Sequence, residues 1–314
     1  MNYWVILYYK YIEIKNTNEI CQNQKKLCEE LRLKGRVLIA SEGINGTLCG
    51  TIENCQKYIS YMNLHELFCE IDFKINEIDF CCFEKLQIKE KHEIVNFGFN
   101  KPINPSYKDS APYITPDELH KMFESKNFNN TVIIDIRNNY ESRIGKFDAA
   151  ITPDIKTSRE FYDYFINNKD IFKNKDVVMY CTGGVRCEKT SAALAFVSEA
   201  KSIRHLKGGI CRYVEKYPNG YFRGRNYVFD DRISVKVNND ILTHCDICNI
   251  SCDLYNNCLN ALCNKHYISC DECIKKTNGC CSNQCFDLTQ KRAVPLRPPL
   301  VSRNGNILLH NNQK

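Results

Sequence analysis

Half of the cysteines in this chain lie in one short stretch. Of twenty in 314 residues, ten fall between Cys245 and Cys285 and ten are scattered over the rest. Residues 1–7, Met1 to Leu7, carry no basic region of the kind that opens a secretion signal. A reducing, cytoplasmic setting is therefore expected, where disulfide scaffolds are rare. Dense cysteine in such a setting points to metal ligation, and isolated cysteine to packing or to one reactive thiol. Cys245-x2-Cys248 and Cys270-x2-Cys273 can each turn two sulfurs toward one tetrahedral ion. Between them lies Cys258-x4-Cys263, and Cys280, Cys281 and Cys285 follow. Taking alternate pairs together gives two sites, the second made from Cys258, Cys263 and two of the last three. Cys252 and one of the last three are then left over. The segment has few large apolar residues with which to build a core of its own. Zinc is the expected metal, with an iron–sulfur cluster as the alternative that thiolates also hold.

The rest of the composition is that of a globular chain. Apolar residues make up 43% and charged residues 25%, which excludes wholesale disorder. No apolar run reaches the ~18 residues that a membrane span needs. The formal net charge is +6, and it is uneven. Seven Lys/Arg and only Glu215 lie between Lys201 and Arg225, and five Lys/Arg with no acid lie between Lys291 and Lys314. Two basic patches on a nearly neutral body suit an anionic partner such as RNA, with Arg204, Lys207, Arg212, Arg223 and Arg225 as candidate contacts.

The pattern of elements divides the chain. Strands are expected over residues 3–14, 35–40 and 47–51, a turn at Gly43-Ile44-Asn45-Gly46, and helices over 17–33 and 52–63. Two further strands are expected over 71–78 and 84–96. Strand–helix–strand–strand–helix–strand is the ferredoxin-like order. Pro102, Pro105 and Pro112 punctuate a linker. From Thr115 short apolar strands (Thr131 to Ile136, Val177 to Tyr180, Ile203 to Leu206) alternate with helices opening at Pro116, Glu188 and Gly209, as in a parallel sheet covered on both faces. The expected organisation is a ferredoxin-like or acylphosphatase-like domain at 1–98, a linker at 99–114, and an α/β domain at 115–238. A Cys-rich metal module at 239–290 and a basic tail at 291–314 complete it.

The most informative stretch is Cys181-Thr182-Gly183-Gly184-Val185-Arg186. Cys181 ends an apolar strand, where open parallel sheets place their sites, and a helix starts just beyond Arg186. Two glycines let the loop turn its N–H groups inward as an anion nest. That nest, the helix N-terminus and the permanent charge of Arg186 all favour thiolate, or a persulfide anion, on Cys181. Four residues separate Cys181 from Arg186, whereas thiol phosphatases need five to cradle a tetrahedral phosphate. The tighter loop suits a smaller species such as sulfur. Cys187, next in sequence, is a candidate second thiol.

This loop resembles the rhodanese active-site loop. Asp135-Ile136-Arg137 resembles the acidic step ending an earlier strand of that fold, which implies that Asp135 and Arg137 buttress the cradle. Leu206-Lys207-Gly208-Gly209 resembles its closing turn, and Tyr140-Glu141 through Ala150 a further segment, with Lys146 where histidine is usual. A narrower resemblance covers nearly the whole chain. Ala40-Ser41-Glu42-Gly43-Ile44-Asn45-Gly46-Thr47, Tyr180 through Lys189, Tyr227-Val228-Phe229-Asp230-Asp231-Arg232 and the Cys-rich segment from His244 to Cys285 resemble, in the same order, the rhodanese-like tRNA uridine(34) hydroxylases. The resemblance implies oxygen-dependent hydroxylation at C5 of the wobble uridine, with the functional cysteine at Cys181, molecular oxygen as co-substrate and the tRNA anticodon region as partner. No flavin or NAD motif is present. The first alternative is a thiosulfate or persulfide sulfurtransferase using Cys181 without RNA. The second is a metal-dependent interaction protein with a relict domain, against which the intact loop argues.

Overall fold

The computed structural model describes residues 2–98, 106–126 and 128–297. They divide into two compact units, one within Met1–Ser142 and Phe147–Phe222, the other within Arg143–Lys146 and Arg223–Lys314.

The first unit opens with β1 (Tyr3–Tyr11), α1 (Thr17–Glu30), β2 (Lys34–Ala40), β3 (Gly43–Thr51), α2 (Ile52–Leu64), β4 (Lys74–Ile78) and β5 (Leu86–Glu90). The sheet order is β4-β1-β3-β2-β5. Its first four strands are antiparallel in the ferredoxin-like arrangement, and β5 adds to the edge parallel to β2. Strand side chains alternate between faces. One face sets Ile6, Tyr8, Val37, Ile39 and Leu48 against Cys28, Cys55, Tyr58 and Met62 of α1 and α2. Burying each such large apolar side chain contributes roughly 1.5–3 kcal/mol. The residues expected to turn, Gly43 to Gly46, instead begin β3, and the connection shrinks to Ser41-Glu42. Gly43 pairs with Tyr11 at a φ of +148°, where a Cβ would lie 2.1 Å from the Lys10 carbonyl oxygen, so this glycine serves close strand approach. The strand expected over 84–96 is limited to β5.

The same unit continues with β6 (Tyr113–Ile114), α3 (Pro116–Glu124), β7 (Thr131–Asp135), α4 (Asn139–Ile144), β8 (Gly145–Phe147), α5 (Phe161–Asn167), α6 (Lys169–Phe172), β9 (Asp176–Tyr180), α7 (Val185–Val197), β10 (Ser202–Leu206) and α8 (Gly209–Lys216). α4 and β8 carry the short piece that belongs to the second unit. Four of the strands form a parallel sheet in the order β6-β10-β9-β7. Thr115 and Glu118 cap α3 reciprocally, with Pro116 at its first turn. α7 begins at Val185, a turn earlier than the apolar pattern indicates, because its first turn is charged. Its residues from Arg186 to Leu194 are all buried, so polar faces cannot mark its periodicity. α4, α5 and α6 escape the sequence pattern because four to seven residues are too few to display a helical period.

In the second unit β11 (Phe222–Tyr227) and β12 (Ser234–Lys236) join β8 in the order β12-β11-β8. The Cys-rich segment holds the hairpin β13 (Tyr255–Asn257) and β14 (His266–Ile268), then α9 (Asp271–Lys276) and α10 (Asn283–Gln290). Of the basic tail, residues 298–314 lie outside the described residues, as do Pro102 and Pro105 of the expected linker.

Candidate active site

Cys181 stands at the carboxyl end of β9, and its side chain is fully buried. Gly184, at a φ of +105°, donates its N–H to Cys181 Sγ at 3.2 Å. Burial alone would raise this thiol. Hydrogen bonding from Cys187, the Arg186 guanidinium and the N–H groups of Arg186 and Gly184 outweigh it, and hold Cys181 down at about 6. Cys187 moves the opposite way, well above the ordinary thiol range, through burial and through its bond to the charged sulfur of Cys181. The two thiols thus form a donor–acceptor pair with the proton on Cys187.

Arg186 is itself locked. Its Nη1 and Nη2 donate to Oε2 and Oε1 of Glu141 at 2.6 and 2.8 Å, and Nη2 also donates to Thr182 Oγ1 at 3.1 Å. Glu141 comes from α4 and is completely buried. Below the loop, Asp135 accepts from Arg137 Nε at 2.9 Å and from Nη2 at 2.6 Å, and both side chains are completely buried. The Arg137 guanidinium lies 5.9 Å from the Tyr180 ring centroid, directly before Cys181 in sequence. Asp135 and Arg137 are therefore an internal pair and not a surface one. Breaking such a pair on one side costs about 3–5 kcal/mol.

The N-terminal sheet covers the loop. Leu7 lies over Gly183, where a Cβ would approach it to 3.0 Å, and the Tyr9 hydroxyl lies 2.7 Å from the position a Gly184 Cβ would take. Gly184 is thus required by its positive φ and the close approach of β1, while a side chain at Gly183 would press on Leu7. Tyr11 donates to the Val185 carbonyl at 3.2 Å. Glu188 accepts from Tyr9 (3.0 Å), Tyr113 (2.8 Å) and Ser110 (2.7 Å), and His205 Nε2 lies 3.7 Å away. Lys189, nearly completely buried, bonds Glu42 at 3.0 Å and Glu93 at 2.6 Å. Glu42 and Lys189 belong to the two sequence motifs quoted from different halves of this unit, and the ion pair joins them. Sequence reasoning gave no role to Glu141, Glu188, Lys189 or Glu42. The available signal was the charged run Arg186-Cys187-Glu188-Lys189 opening a helix that continues Thr-Ser-Ala-Ala-Leu-Ala, since charges on a buried helix need partners.

In the second unit the cysteines converge as two interleaved groups, Cys245, Cys248, Cys270 and Cys273, and Cys258, Cys263, Cys281 and Cys285. Within each group all four sulfurs lie within 4.8 Å of one another. Sulfurs around a tetrahedral ion with bonds of ~2.3 Å stand about 3.8 Å apart. Cys248–Cys270 and Cys263–Cys281 are each separated by 3.7 Å. The N–H groups of Cys270 and Cys281 point at Cys245 Sγ and Cys258 Sγ, each at 3.5 Å, as for thiolates supported by backbone donors. The donor sets fit a metal. Cys280 lies in neither group and contacts Thr289 Oγ1 at 3.5 Å, and Cys252 is likewise outside. His266 stacks on Tyr255 and meets Asn257.

The candidate RNA contacts are mostly engaged. Arg212 pairs with Asp72 and Glu215, and Arg223 lies 3.6 Å from Asp240. Arg225 is buried, its Nε donating to Ser234 Oγ at 2.8 Å. Lys207 sits over the Tyr113 ring, and Arg204 is half-buried on β10.

A parallel sheet carrying a Cys-x4-Arg loop, with the thiol facing a glycine nest and an arginine, defines a rhodanese-type domain. Family models agree: residues 115–216 match the rhodanese-like domain, residues 3–94 the UPF0176 acylphosphatase like domain, and residues 223–286 the rhodanase C-terminal domain. The tRNA uridine(34) hydroxylase of Staphylococcus epidermidis is 39% identical over 302 residues, covering 94% of this chain and 92% of its own. That of Staphylococcus aureus is 38% identical over 299 residues, with the same coverage. The chain belongs to the tRNA uridine(34) hydroxylase family. Among solved structures, the rhodanese-like domain of an Anabaena protein is 20% identical, covering 36% of this chain and 79% of its own, at a TM-score of 0.30.

Proposed function

We propose that this protein hydroxylates C5 of uridine 34 in tRNA, with Cys181 as the reacting thiolate. The observation that carries this reading is the near full-length match to relatives bearing that name, through a chain whose Cys181 loop is intact. The wobble base is already in a single-stranded loop, so little pairing energy opposes its entry into a buried site. Arg186, held by Glu141, supplies fixed positive charge beside the sulfur, and the same field suits a persulfide anion. Cys187 is the proton donor to that sulfur and the candidate second thiol. Asp135 and Arg137 position the strand that carries it. Molecular oxygen is the co-substrate, and the setting is the cytoplasm.

Zinc is the metal we assign to the two four-cysteine groups. Closed sites of four thiolates leave no position for substrate, so the ions hold the segment folded and take no part in the chemistry. A sulfurtransferase acting without RNA is not favoured, because the full-length relatives carry a tRNA hydroxylase name.

The test is nucleoside mass analysis of tRNA from cells lacking the protein. Loss of 5-hydroxyuridine-type nucleosides, restored by the wild-type chain, is the expected result; unchanged levels would remove the proposal.

A further inference from the structure

We propose that the open face of the N-terminal sheet is the track along which the tRNA strand lies beside the Cys181 loop. The inference rests on the tRNA reading above and adds where the chain receives the nucleic acid. α1 and α2 cover one face of the sheet. On the other, cross-strand register aligns Gln87 of β5, Arg36 of β2, Thr47 of β3 and Leu7 of β1 in one row. Leu7 is the residue that lies over Gly183 of the loop. The row therefore runs from the sheet edge to the catalytic cradle. Neighbouring strands are ~4.8 Å apart, which sets Arg36 about 10 Å from Leu7.

Lys34 and Lys89 share this face with Arg36, and all three are exposed. No Asp or Glu occupies a position of β5, β2, β3 or β1 that faces the same way. The two ends of the face are covered. Cys82 and Phe83 pack on Val5 and Cys49 at one end, and the Ile94 carbonyl accepts from Asn45 at the other. What stays open is the β2–β5 side of the face, with Lys34, Arg36 and Lys89 exposed on it, Gln87 beside Arg36, and Thr47 between Arg36 and Leu7. Three cations and no acid among such side chains favour contacts to phosphate and sugar. The tyrosines that could stack bases are used otherwise: Tyr9 is bonded to Glu188 and Tyr11 stacks on Tyr107. This open side thus holds a backbone and leaves recognition of the base to the loop.

The test measures binding of unmodified tRNA by the full-length, metal-loaded protein across salt concentration. The variant is Lys34→Ala/Arg36→Ala/Lys89→Ala. Its control, Lys25→Ala/Lys26→Ala/Lys57→Ala, removes the same charge from the helices on the covered face. Each lost phosphate contact on a single strand lowers the salt slope by about 0.7, so the first variant should lose about 2 in slope and at least about tenfold in affinity. The control should match the wild type, and Arg36→Glu alone should move in the direction of the triple variant. A Cys181 alkylation midpoint in each variant equal to that of the wild type verifies an intact site. If the first variant matches the control in affinity and slope while the wild type binds and hydroxylates tRNA, the track is wrong and the activity stands. A wild-type chain that does not bind tRNA overturns both.

Discussion

Cysteine sulfur is set to opposite uses in the Cys181 loop and in the Cys-rich segment, and the count of neighbouring sulfurs marks the difference. Cys181 has one thiol partner, one guanidinium and a nest of N–H groups, so its negative charge is balanced by fixed protein groups. Each group in the second unit brings four sulfurs within 4.8 Å. Four thiolates that close repel unless a cation stands among them, which is the place a metal ion would take. Burial by itself settles neither case. Cys28 and Cys55 are as buried as Cys181, yet burial pushes both up to about 12, as befits packing thiols. The lesson is that partners decide what a buried cysteine does, and burial only amplifies the decision.

The contrast breaks if either region responds to the other's perturbation. The largest effect is expected from chelation: structural zinc contributes of order 10–16 kcal/mol in small modules. Removing it should unfold the Cys-rich segment, read by hydrogen exchange. Cys181 should keep its alkylation midpoint near 6, because every cause of its shift lies in the first unit. Next comes Cys181→Ser, for which hydroxylation should fall at least a hundredfold, since a hydroxyl is not ionised in this field. Metal analysis should still find two ions per chain if both groups are filled.

Glu141→Gln should destabilise by about 3–5 kcal/mol in denaturant melts, since it leaves the buried Arg186 without a counter-charge. Cys187→Ala should raise the Cys181 midpoint, because it removes the donor that favours the charged sulfur; the reactivity–pH curve then shifts to higher pH. The smallest effect is expected for Cys280→Ala, outside both groups, with metal content unchanged and at most a modest packing loss.

How much of this is legible in the sequence varies with the kind of signal. The loop, its arginine and the alternate pairing of cysteines are local in sequence, so spacing reveals them. Spacing left open which of Cys280, Cys281 and Cys285 stands apart, and only the start of α10 from Ser282 turns Cys285 toward Cys281, at 3.9 Å. Partners distant in sequence were illegible. Glu141 to Arg186, Tyr9 to Glu188 and Lys189 to Glu42 join residues that no periodicity connects. The basic stretch from Lys201 to Arg225 showed the converse failure. Charge counted along the chain ignores that Arg212 and Arg225 are tied to Asp72 and Ser234. Exposed cations also surface on β2 and β5, where the sequence charge is unremarkable.

The most direct test of the central claim is the initial rate of tRNA hydroxylation by the purified protein followed from about pH 5 to pH 8. A thiol held at about 6 is ionised above that value, so the rate should climb through about pH 6 to a plateau and be absent in Cys181→Ser. A rate that is flat across this range, or that survives in Cys181→Ser, would contradict the account.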